Sequence, residues 1–228
     1  MSRHILIMAA VLNLVAGAAW ATGGGPAPVP STPRAPSAPA PTPEERAAMR
    51  YNDGLKQQEK AEGLSTEAEA ATDAKKRGKL ETQAHKAYEK ARTDFEDATK
   101  VNPRDFQAYG ALGYVLRRLG DYDASLKAYN TALQLKPGYT PAIEYRGEAF
   151  LGLNRVEDAK AAYMDLFNAD RPKADMLAGA MKTWLGRRRQ DPAGLDGQTL
   201  DEFAKWLSQR QEIAGQTSAL LPPKDGKW

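Results

Sequence analysis

Residues 119–137 read LGDYDASLKAYNTALQLKP, and they set Asp121, Tyr122, Ala124, Leu126, Tyr129, Ala132, Leu135 and Pro137 at offsets that recur elsewhere in the chain. Small and apolar residues three or four apart mark one face of a helix, with Gly120-Asp121 as the turn before it and Pro137 as the stop behind it. Such a face is either a site or a packing surface, and repetition distinguishes the two.

Residues 106–139 and 140–173 share one plan. In the first segment Tyr109, Leu112, Gly113 and Leu116 precede Gly120-Asp121-Tyr122, then Leu126, Tyr129, Ala132, Leu135 and Pro137. In the second, Ile143, Gly147, Phe150, Val156, Ala159, Tyr163 and Leu166 fall 34 residues further on, and Pro172 falls 35 on. Counting back by the same interval, Ala91, Phe95, Ala98, Val101 and Pro103 reproduce the second half of the unit.

This period, with an aromatic, Leu-Gly, a small residue, an aromatic, Ala and Pro in order, resembles the tetratricopeptide repeat, a helix-turn-helix unit that stacks into a solenoid. The resemblance implies that Gly113 and Gly147 let paired helices approach, that Tyr129 and Tyr163 fill the gap beside them, and that Pro137 stops the second helix. The residues of the opening stretch are then stacking residues. Three positions depart from the pattern: Arg146 stands where Leu112 does, Leu166 where Ala132 does, and Ser125 takes a place usually held by alanine.

Around this centre the organisation reads as follows. Residues 1–21, MSRHILIMAAVLNLVAGAAWA, carry Arg3, an apolar run and small residues at Ala19 and Ala21, the pattern of a signal peptide cleaved after Ala21. A retained anchor is the competing reading, but Asn13 and the small residues from Ala16 onward interrupt the run a span requires. Residues 22–43 hold eight prolines and no large hydrophobe, and so form a disordered linker. Pro30, Pro33, Pro36 and Pro39 would align on one face of a polyproline II helix beside Arg34, as a PxxP ligand or simply as a spacer. Residues 44–105 read as an elongated N-terminal helix pair ending in a partial repeat. The first helix has sparse apolar positions at Tyr51, Leu55, Leu64 and Ala68, and Thr72 caps the second. Two repeat-like units span 106–172, a capping helix pair spans 173–214, and 215–228 is a flexible tail. In the capping pair Leu177, Ala180, Met181 and Trp184 continue the phase, and Leu200, Phe203, Trp206 and Leu207 cover the last apolar face. The fold class is all-α.

Composition excludes several functions. Among 228 residues there is no cysteine, and after removal of residues 1–21 His85 is the single histidine. A thiol nucleophile, a metal site built from several His or Cys ligands, and lipid attachment through an N-terminal cysteine are therefore absent. His85 lies on a charged helix without a G-x-S-x-G serine, and no glycine-rich loop joins a strand to a helix as phosphate binding requires. Removing the signal takes away Arg3 alone among charged residues, leaving 31 basic against 29 acidic. That balance argues against a nucleic-acid partner. The expectation is a protein that is not an enzyme, uses no cofactor and has no stable membrane span after signal cleavage. It would be periplasmic or secreted and would bind a protein or peptide.

The resemblance also implies where contact occurs, because the first helix of each unit lines the concave face of such an array. That stripe is Gln107, Gly110, Tyr114 and Arg117, then Pro141, Glu144, Glu148 and Leu151, then Asp175, Ala178, Lys182 and Leu185. The candidate contacts are Gln107, Tyr114, Arg117, Glu144, Glu148, Leu151 and Lys182, with the two glutamates favouring a basic partner segment. Arg117 pairing with Glu148 or Glu144 across the units is the plainer alternative. Some family members grip a peptide's terminal carboxylate with a lysine and an asparagine one turn apart, but Gly110 and Tyr114 occupy those places here. Lys182, Arg187, Arg188 and Arg189 close a helix and offer a second reading, a membrane-surface or polyanion patch.

Overall fold

Side chains with the right oxygen at the right position start most of the helices. Asp105 accepts from the backbone of Gln107 and Ala108 at 2.9 and 3.1 Å, and Asp121 accepts from Ala124 at 3.1 Å. Thr42 and Glu45 cap each other reciprocally, the Glu45 amide donating to Thr42 Oγ1 at 3.2 Å and the Thr42 amide to Glu45 Oε2 at 2.7 Å. The helix they open begins at Pro43, so the end of the expected linker serves as a helix start.

The computed structural model describes residues 40–220, with side chains through 217. The expected signal peptide and most of the linker lie outside the described residues. Eight helices follow one another: α1 (Pro43–Ala70), α2 (Ala74–Val101), α3 (Phe106–Arg118), α4 (Tyr122–Leu135), α5 (Thr140–Gly152), α6 (Val156–Ala169), α7 (Arg171–Gln190) and α8 (Gly197–Leu220). No strand occurs among the described residues. Consecutive helices pack as hairpins, and α3 also packs on α5, and α5 on α7, so the first helices of successive hairpins lie side by side. The architecture is an α-solenoid.

The glycine and aromatic positions do the packing that the repeat implies. A Cβ on Gly113 would lie 2.6 Å from Tyr129 Cε1, and Tyr129 is completely buried. Ser125, also fully buried, donates its hydroxyl to the Gly113 carbonyl at 2.8 Å, which fixes the same crossing with a hydrogen bond. Gly147 differs from the expectation: the side chains it makes room for are Leu177 and Ala162, whereas Tyr163 stacks edge-on against Trp206 at 5.4 Å. The capping pair therefore takes up Tyr163, because α8 is there to receive its ring. Arg146, on the edge of the core, donates to Asn130 Oδ1 at 3.0 Å instead of filling the place of a leucine.

The first hairpin is a stretched version of the same unit. Its helices have 28 residues each, against 13 or 14 in α3 to α6. A Cβ on Gly54 would meet Phe95 Cε1 at 2.6 Å, the relation Gly113 has to Tyr129. Beyond that crossing Leu64, Ala68, Ala71 and Leu80 form a small separate cluster that closes the hairpin tip. Leu55 and Val101 remain exposed at its margins.

Three boundaries differ from the sequence reading. The N-cap of α2 is Asp73, accepting from Lys76 at 2.6 Å, and not Thr72, because a carboxylate at the start of a helix is the stronger acceptor. Pro172 opens α7 instead of closing α6: Asp170 ends one helix and caps the next, and proline is accommodated in a first turn where no amide donor is needed. The last helix runs through Gly215 to Leu220, into the segment expected to be a flexible tail.

Candidate functional site

The faces of α1, α3, α5 and α7 that are spared from the core line two neighbouring cavities, the two lobes of the inward face. The first lobe, about 350 Å³, is walled by Tyr51, Leu55, Gln107, Tyr139 and Pro141. The second, about 590 Å³, is walled by Glu69, Arg118, Leu151, Met176, Trp184 and Arg187. Tyr114 and Tyr145 border both lobes and meet edge to face at 5.1 Å, a ridge between them.

Arg117 sits behind that ridge. Its guanidinium lies 5.2 Å from the centroids of both the Tyr114 and the Tyr145 rings, and its Nη1 donates to Glu148 Oε2 at 2.6 Å. The arrangement holds α3 to α5, and only 13% of the Arg117 side chain is exposed. Burial pushes the Glu148 carboxyl above its ordinary pKa, with the charge of Glu144 adding to the effect and that of Arg117 opposing it. Burial likewise raises the Tyr114 phenol far above its usual range, and Arg118 Nη1 donates to its hydroxyl oxygen at 3.2 Å.

Glu144 lies deeper still. It is 1% exposed and accepts from Lys173 Nζ at 2.6 Å, an ion pair that joins α5 to α7. Burial pulls the Lys173 ammonium down, but the hydrogen bond and charge of Glu144 outweigh it and the pKa is raised.

The structure thus sorts the seven candidate contacts. Gln107 and Tyr114 line the groove and are accessible. Arg117, Glu144, Glu148 and Leu151 lie in its floor: two of them form one ion pair, Glu144 forms another, and Leu151 is 3% exposed. Lys182 is exposed on α7 and is not among the residues walling either lobe. Glu144 and Glu148 do not present the two free negative charges expected of them, because each already has a cation. Ala178 and Leu185 from the same stripe are buried as well.

Sequence reasoning passed over Tyr145, Met176, Arg118 and Glu69. Met176, 54% exposed and apolar on an inward-facing stripe, carried the one readable signal. Tyr145 depends on an edge-on contact with a ring 31 positions away, which no local pattern announces.

The basic run 187–189 disperses. Arg187 reaches the second lobe, Arg188 donates to Asn154 Oδ1 at 2.9 Å, and Arg189 faces Asp201 at 3.4 Å. Three guanidiniums at successive positions of a helix point about 100° apart, so they do not form one patch. His85 is exposed on α2. Among the described residues no group of three His, Cys, Asp or Glu could hold a metal ion, and no helix is long and apolar enough to cross a membrane.

A family-model match agrees with the repeated helical hairpins. Residues 75–140, most of α2 together with α3 and α4, match the family model described as tetratricopeptide repeat. The lipoprotein NlpI homolog of Haemophilus influenzae is 31% identical over 120 residues, which is 52% of this chain and 37% of that relative. The chain therefore matches little more than a third of the relative's length. Among solved structures, the TPR domain of Arabidopsis OM64 is 18% identical, with a TM-score of 0.40 over 57% of this chain and 98% of that one. The MamA RS-1 ArsTM double mutant is also 18% identical, with a TM-score of 0.40 over 74% of this chain and 96% of that one.

Proposed function

We propose that this chain, which belongs to the tetratricopeptide-repeat family, is a non-catalytic interaction protein of the cell envelope that binds an extended segment of another protein along the groove of α1, α3, α5 and α7. The observation that carries the reading is that the two lobes share Tyr114 and Tyr145 as a common wall. An extended chain can lay alternate side chains into the two lobes on either side of that wall. The Arg117–Glu148 and Glu144–Lys173 pairs hold the floor rigid, so little ordering is needed when the partner enters. Tyr114 is the leading contact, because it is a large ring, half-buried and open to both lobes.

The envelope setting rests on the signal-like residues 1–21 and on the lipoprotein description of the Haemophilus influenzae relative.

A photo-crosslinking side chain at Met176 tests the groove, with the same group at Lys127 on α4 as the outer-face control. Discrete adducts from Met176 that Tyr114→Ala removes are the expected result. Adducts forming equally from Lys127, or from Met176 regardless of Tyr114, would sink the proposal.

A further inference from the structure

The first hairpin carries a crevice that takes no part in the inward face. It holds about 300 Å³ in the seam between α1 and α2, walled by Gln57, Lys60 and Leu64 from one helix and by Gln83, Lys86, Ala87 and Lys90 from the other. No carboxylate lines it, and all three lysines are exposed. Their ammonium groups have no counter-ion of their own. Lys60 has no acidic residue three or four positions away on α1. On α2 the acids within one turn of Lys86 and Lys90 are Glu89 and Asp94, but Glu89 pairs with Arg92 at 2.8 Å and Asp94 with Arg50 at 3.3 Å. None of the three lysines forms an ion pair among the described residues, and neither glutamine side chain is hydrogen-bonded there. Lys86 and Lys90 stand four apart on one helix, a spacing at which like charges repel, and Lys60 adds a third charge across the seam. An anion entering the crevice removes that repulsion.

We propose that this crevice binds a multiply charged phosphate group, held by Lys60, Lys86 and Lys90 while the carboxamides of Gln57 and Gln83 donate to its remaining oxygens. An ammonium is a compact point charge with three rotatable donors, so three of them on a flexible stem can converge on oxygens that point in different directions. A single carboxylate brings one charge and two oxygens, which leaves part of the cluster uncompensated. A phosphate ester or diphosphate brings more of both. A soluble phosphate compound and the headgroup of an anionic lipid share this chemistry, and the experiment separates them. The site lies apart from the groove and does not depend on what the groove binds.

The test is calorimetric titration of the purified full-length chain with pyrophosphate at low ionic strength, followed by thermal unfolding with and without it. Lys60→Gln/Lys86→Gln/Lys90→Gln and Lys86→Gln alone are compared with Lys127→Gln/Lys136→Gln/Lys205→Gln, which removes the same charge from exposed positions elsewhere. Circular dichroism confirms that each variant is folded, and Lys86→Gln keeps the test decisive if the triple variant is not. Wild type is expected to bind pyrophosphate and to melt at a higher temperature with it, since a ligand that binds only the folded state stabilises it. The crevice triple variant should lose about tenfold or more in affinity together with the melting shift, Lys86→Gln about threefold, and the control neither. Vesicles of phosphatidylcholine with and without phosphatidylglycerol form the second arm. Binding to the anionic vesicles that the crevice variant loses, with pyrophosphate ignored, assigns the site to a lipid headgroup. An equal loss in the control variant would make the attraction a diffuse one and overturn the proposal. Sulfate binding as tightly as pyrophosphate, or no binding to either probe, would overturn it too.

Discussion

Glu148 Oε2 lies 2.6 Å from Arg117 Nη1, and this one contact ties the second helix hairpin to the third beneath the tyrosine ridge. Both side chains are mostly covered, at 13% and 24% exposure, so removing one partner strands the other. Arg117→Met is expected to cost roughly 2–3 kcal/mol, and Arg117→Met/Glu148→Leu to recover most of it. Urea unfolding of the four species gives the coupling, and additive losses would show that the pair contributes nothing.

The same carboxylate sets a pH dependence. Burial, reinforced by Glu144, raises the pKa of Glu148 in the folded state, so the folded chain holds its proton to higher pH than the unfolded chain does. Stability from this group is therefore present below the raised pKa and falls as pH rises from the ordinary glutamate value through the folded one. As pH rises above the ordinary glutamate value, the stability of wild type relative to Glu148→Gln should decline. A difference that rises with pH would reverse the sign of the argument.

Lys173→Met leaves Glu144 in the interior without a counter-ion. Because Glu144 is 1% exposed, the loss should approach 3–5 kcal/mol, and Lys173→Met/Glu144→Leu should restore much of it by replacing the pair with apolar volume. Thermal unfolding is the measurement. A single variant as stable as wild type would mean that the carboxylate escapes to solvent.

Glycines separate by what their missing Cβ would meet. Gly113→Ala drives a methyl to 2.6 Å from the immobile ring of Tyr129 and should cost about 1–3 kcal/mol. Gly63→Ala, in α1 with open space around it, should instead gain up to ~1 kcal/mol through better helix propensity. Opposite signs in denaturant midpoints are expected, and equal effects would refute the packing role of Gly113.

The repeat was legible because its determinants are local in spacing. Gly113, Tyr129 and Pro137 recur with their counterparts at a fixed interval, and a helical face is readable from residues three or four apart. The first hairpin hid its half of the pattern: Gly54 stands 59 residues before Gly113, because α1 and α2 are each twice the usual length, yet it meets Phe95 as Gly113 meets Tyr129. Pro172 was legible as punctuation but not as to which helix it belongs, since a proline serves equally after one helix and inside the first turn of the next.

Residue spacing was enough to establish helices, their pairing and the stripe that faces inward, because periodicity gives each side chain its angle about a helix axis. It does not give the depth at which a neighbouring helix covers that side chain. Glu144 and Tyr114 both lie on the inward stripes of their helices, α5 and α3, but Lys173 on α7 closes over the first while the second stays open to the groove. Which charges remain for a partner was decided by pairs spanning 29 and 31 residues, and only the packing of one hairpin against the next brings such pairs together.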